Sequence, residues 1–141
     1  MPGRYTVKLT VNGHTYTQPL TVRMDPRVHT PAAELLEQFK LSKQLYDDSV
    51  TATKALEEIR AVRDPKAHAI AGAAAPGQGR RGAATGTDTL TSVNAALGAL
   101  LQIIQEADVA PNSATIAAVA ERRAALAKLL QRWQTLKANP Q

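Results

Sequence analysis

Residues 5–26 read YTVKLTVNGHTYTQPLTVRMDP. Tyr5, Val7, Leu9 and Val11 alternate with Thr6, Lys8 and Thr10, the period-two pattern of a half-buried strand. Asn12-Gly13 follows, the pair best suited to a type I′ turn, whose two central residues both need positive φ. A two-residue loop sets the register, placing Val11 opposite His14, Leu9 opposite Tyr16, Val7 opposite Gln18 and Tyr5 opposite Leu20. One face therefore collects Tyr5, Val7, Leu9, Val11, Tyr16, Leu20 and Val22; the other collects threonines, Lys8 and Arg23. Pro19 has no N–H to give, so its strand is expected at an edge or interrupted there. An isolated hairpin is at best marginally stable in water. Each of the seven apolar side chains gains about 1.5–3 kcal/mol when fully buried, less for the smaller ones, so the face calls for a cover. Either the helices that follow or a further sheet supplies it. Pro26 and Pro31 stiffen the way back to the helices, and the alternating pattern suits a facing sheet better.

Outside the hairpin the chain reads as helix. Thr30-Pro31 marks a start, an oxygen-bearing cap followed by proline at the first helical position. Leu35, Phe39, Ser42, Leu45, Ser49, Ala52, Leu56 and Ile59 then recur at steps of three and four, and Asp64-Pro65 is expected to stop this helix. The small residues in the middle of the stripe invite close approach of a partner helix. Residues 65–87, PKAHAIAGAAAPGQGRRGAATGT, read as a flexible connector rich in Gly and Ala. A second helix is predicted from Asp88 to Ala107 on the stripe Leu90, Val93, Leu97, Leu101 and Ile104. A third follows Pro111, capped by Asn112 or Ser113, with Ile116, Val119, Leu126, Leu129, Leu130, Trp133 and Leu136 facing inward. The fold class is α+β: an N-terminal β-hairpin over residues 1–29, then a mostly antiparallel three-helix bundle over residues 30–141 with its linker at about 65–87.

Composition narrows the function. The 141 residues suggest one domain, and with aromatics at only 4% the core must be built from Leu, Ile, Val and Ala. There is no cysteine, which excludes disulfides and thiolate metal sites. No apolar run approaches the roughly 18 residues of a membrane span, and Met1-Pro2-Gly3-Arg4 leads into strand pattern without the apolar core of a signal peptide. The net charge is +5, but the cation excess is split among residues 1–29, 65–87 and 111–141, with acidic stretches between. Nucleic-acid binding favours one basic face, so no nucleic-acid partner is expected.

Chemistry-bearing patterns are few. Gly77-Gln78-Gly79-Arg80-Arg81-Gly82 matches G-x-G-x-x-G, but no strand precedes it and no βαβ unit follows, so the dinucleotide reading fails its context test. His14, His29 and His68 lack the spacing of convergent zinc ligands and read as surface residues. Asp47-Asp48 and Glu57-Glu58 are sequential neighbours on a helix, which do not face each other, and read as solvated helix surface. Serines 42, 49, 92 and 113 lack a nucleophile-elbow context. No catalytic, cofactor-binding or metal-ligating residue is assigned, and no cofactor is expected.

The segment PGRYTVKLTVNGHTYTQPLTVRMDPRV (2–28) resembles a stretch near the C-terminus of large bacterial β-propeller proteins with BNR (Asp-box) repeats, called sortilin-like or glycosyl hydrolase. In that family a sandwich-like module ends in such a strand pair and a helical tail follows. LTSVNAALGALLQIIQEADVAPNSATIAAVAERRAALAKLLQRWQTL (90–136) is similar to the tail, less specifically, so the likeness covers nearly the whole chain. The propeller and its Asp boxes are missing from it. The resemblance implies that the hairpin is the closing pair of an immunoglobulin-like sandwich and the chain a fragment, with Met1 a methionine just before Pro-Gly or a false start. It further implies a non-catalytic C-terminal module, partnered by the propeller domain or by self-association, in a parent protein that is exported. The competing reading is a free-standing basic helical protein for nucleic acid or an anionic surface. Limited proteolysis is expected to cut first at Arg80 or Arg81 in the connector; rapid cleavage inside the first helix instead would count against this organisation.

Overall fold

The computed structural model describes residues 2–72 and 88–139. Strands β1 (Gly3–Val11) and β2 (His14–Val22) precede helices α1 (Ala32–Arg60), α2 (Pro65–Ala71), α3 (Leu90–Gln105) and α4 (Ser113–Ala138). This is the expected α+β class with an N-terminal hairpin, but with four helices among the described residues. The segment 65–71, read from sequence as connector, is helical. Asp64 caps it by accepting from the Lys66 N–H, Pro65 sits at the first helical position, and Gly72 ends it at φ 79°. The remainder of the predicted connector, with the Gly77–Gly82 motif, lies outside the described residues.

The strands pair antiparallel in the register read from the sequence, Gly3 opposite Val22 through Val11 opposite His14. Asn12 and Gly13 take φ 49° and 79°, the double positive φ of a type I′ turn. β2 runs unbroken through Pro19. The chain then turns at Asp25-Pro26-Arg27, where the Asp25 carboxylate accepts from the Arg27 N–H at 2.9 Å and pairs with its guanidinium.

α1, α3 and α4 form an up-down-up bundle. Gln38, near the start of α1, reaches Ile104 at the end of α3, and Thr53 meets Asn94, so these two run antiparallel. Asp48 meets Arg123 and Glu58 meets Lys137, so α1 and α4 run side by side in the same sense. Their apolar stripes close on one another around Leu45, Ala52, Ile59, Leu90, Val93, Leu97, Val119, Leu126 and Trp133, all buried. α2 adds Ala67, Ile70 and Ala71 to one end of this core.

Three stripe positions differ from expectation. Phe39 and Ile116 are half-exposed, while Gln38 is buried. The Gln38 side-chain N–H groups donate to the Ile104 and Ala107 carbonyls, each at 2.6 Å, satisfying acceptors that the end of α3 leaves without helical partners. Thr30 does not cap α1; Pro31 occupies the N-cap position with no side-chain bond, and the Thr30 hydroxyl donates to the Asp108 carbonyl instead. α3 opens on a reciprocal Thr89–Ser92 capping box, and α4 on Asn112, which accepts from the Thr115 N–H at 2.8 Å.

Two glycines give opposite expectations. A Cβ on Gly72 would stand 2.5 Å from the Thr89 hydroxyl oxygen in a left-handed conformation, so Gly72→Ala is expected to destabilise by about 2–4 kcal/mol. A Cβ on Gly98, within α3, meets nothing within 4 Å, so Gly98→Ala is expected to stabilise by about 0.5–1 kcal/mol. Urea denaturation of the two variants checks both signs.

Candidate functional site

The helical core is complete without the hairpin. Among the described residues no helix packs over either face of β1 and β2, and Tyr5, Val7, Leu9, Val11, Tyr16, Leu20 and Val22 are 39–62% exposed. Scattered apolar residues are normal on a surface; here seven form one alternating patch on a single sheet face.

The backbone arrangement explains which side is apolar and which edge is open. The pair closing a two-residue loop exchanges both hydrogen bonds, and bonded pairs recur at every second position. Val11–His14, Leu9–Tyr16, Val7–Gln18, Tyr5–Leu20 and Gly3–Val22 are thus the bonded pairs, and they carry the apolar face. Arg4, Thr6, Lys8 and Thr10 on β1, with Thr15, Thr17, Pro19 and Thr21 on β2, turn their backbone groups outward. Pro19 therefore stands where the hairpin needs no N–H, and it removes one donor from the free edge of β2. On this polar face the Thr10 and Thr15 hydroxyls bond across the strands at 3.1 Å.

The hairpin stem meets the bundle at a groove of about 320 Å³ walled by Val22, Met24, Leu35 and Phe39, with Arg23 and Asp108 also lining it. The exposed Phe39 ring is thus part of the same apolar surface as Val22, at the end of the sheet face nearest the helices.

The polar residues considered from sequence do not converge. Asp47 pairs with Lys43 at 2.6 Å, one turn away on the same helix, while Asp48 pairs with Arg123 on α4 at 2.5 Å. His14 and His29 are exposed. His68 is partly exposed, and its ring Nε2 lies 2.9 Å from the Val62 carbonyl just past the end of α1. Among the described residues no group of three or more His, Asp or Glu side chains is placed to hold a metal ion. No helix among the described residues is long and apolar enough to cross a membrane.

One polar cluster was not foreseen. The Glu58 carboxylate accepts from the buried Trp133 indole N–H at 3.0 Å and from Lys137 Nζ at 2.8 Å, and Lys137 lies 5.3 Å from the Trp133 ring centroid. The signal was present in the sequence as an indole N–H at a core position, which needs an acceptor, but only the parallel packing of α1 and α4 identifies Glu58 as that acceptor. The cluster is a clamp between helix ends.

No protein-family model, no curated protein and no solved structure matches this chain.

The bonds from Lys137 first, and from Trp133 second, hold the Glu58 carboxyl below the usual glutamate range. A depressed folded-state pKa stabilises above the unfolded value, and that stability is lost as pH falls through the folded one. Acid titration should therefore release the clamp below the ordinary carboxylate range. It is read by fluorescence of Trp133, the one tryptophan in the chain, and the Glu58→Gln variant should lose that acid transition.

Proposed function

We propose that this chain is a non-catalytic structural and interaction module, and that its working surface is the apolar face of the β1–β2 hairpin. The observation that carries the reading is that seven apolar side chains on one sheet face have no cover from the helices. A two-stranded sheet in this condition gains its stability on docking. Together with the resemblance of residues 2–28 to the end of a sandwich-like module, this supports a role as the C-terminal region of a BNR-type propeller protein. The hairpin would close a sandwich built by preceding strands, and the helical bundle would cap or brace that assembly. The basic-surface alternative has weaker support, because Lys43, Arg122, Arg123 and Lys137 are each engaged by a carboxylate.

Sequencing the genomic DNA preceding the Met1 codon tests the module reading. In-frame strands and Asp boxes are the expected result, and a stop codon with a ribosome-binding site in their place overturns it. The chain is also expected to leave aryl glycosides unhydrolysed. Turnover that disappears in Asp47→Asn or Glu57→Gln would overturn the non-catalytic assignment.

A further inference from the structure

The docking face has a partner available in every solution of the chain, namely another copy of itself. We infer that two copies pack their hairpins face to face, each supplying the sheet that covers the other. This rests on reading the apolar face as the docking surface and goes further by naming what docks.

Area favours this occupant. Seven apolar side chains about half exposed offer on the order of 700 Å² per copy, close to the roughly 800 Å² per partner of a standard stable interface. Two sheets stacked about 10 Å apart would bury these side chains against each other. The pairing is isologous, the same patch on both copies, so it closes at two and does not propagate.

Charge favours the same mode. The apolar face contains no Asp, Glu, Lys or Arg. Arg4 and Lys8 stand on the opposite face, so face-to-face packing keeps the cations of both copies on the two outer surfaces. Pairing by the free edges of β1 would instead crowd Arg4 and Lys8 of both copies onto one sheet surface, and the free edge of β2 lacks the donor at Pro19. Lysine and proline at sheet edges are recognised devices against edge association. Both edges of this hairpin carry one, and the face carries none.

The test is sedimentation equilibrium of the intact chain from low micromolar to near-millimolar concentration. A monomer–dimer equilibrium is expected. Leu9→Lys should weaken it about tenfold or more, since it places a charge at the centre of the covered face. Thr10→Lys adds the same charge on the opposite face and should leave it unchanged. Because the chain has no cysteine, Val7→Cys and Thr6→Cys give a second reading that does not depend on how Leu9→Lys folds. A short bis-maleimide should link Val7→Cys into covalent dimers and leave Thr6→Cys unlinked. A monomer at every concentration overturns the inference. A dimer that survives Leu9→Lys but is lost in Thr6→Pro also overturns it, in favour of edge pairing. Neither result bears on the upstream DNA, so failure here and failure of the module reading are told apart.

Discussion

The carboxamide of Gln38 holds together the part of the molecule on which everything else is arranged. An α-helix ends with carbonyls that have no partner, and burying them unpaired is unfavourable. α3 ends against α1, and the buried Gln38 side chain supplies two N–H donors to the Ile104 and Ala107 carbonyls. This gives the last carbonyls of α3 partners on α1 where the chain leaves the helix for α4. Thr30 extends the same solution by donating to the Asp108 carbonyl. The start of α1 is thereby fixed to the end of α3, and the direction in which the hairpin leaves the bundle follows from that joint.

The three long helices close on their own stripes, and the apolar side chains they leave exposed, Phe39 apart, are not turned to the hairpin. The stem meets the helices at the groove beside Phe39 and Leu35. The hairpin is thus a projecting arm whose inward-type face has no inside. Its polar face is ordinary solvated sheet, with a threonine hydroxyl pair and two cations. Its apolar face has the alternation of a sandwich core layer.

The hairpin was legible almost to the residue, because Asn12-Gly13 and strict alternation act locally and fix register without tertiary help. The long helices were legible from their stripes, with exceptions where tertiary structure chose between neighbours. Residues 38 and 39 both lie within reach of the stripe, and hydrophobicity favours Phe39; the need to cap α3 places Gln38 inside. Thr30 had the chemistry of a cap, but a longer-range acceptor took its hydroxyl. α2 was missed for a different reason. Asp64-Pro65 ends one helix and begins the next, and seven residues with small apolar positions give too little periodicity to outweigh the surrounding Gly and Ala. Asp64, Pro65 and Gly72 were nonetheless a full set of start and stop signals. The apolar face itself was evident in the sequence; its lack of a helical cover could be learned only from how the bundle packs.

A face of this kind accepts one cover at a time. If a sandwich built by preceding strands occupies it, a second copy is excluded; if two copies pair through it, the sandwich is displaced. The outcome is set by effective concentration. A sheet joined to the hairpin through the same polypeptide acts at a fixed, high local concentration, whereas a second copy must be supplied by bulk protein. The proposed self-pairing would therefore hold for the chain by itself and would vanish wherever a sheet joined through the same polypeptide took the face, without any change in the hairpin. The polar face fits both arrangements, since each covers the apolar face and keeps Arg4 and Lys8 in water.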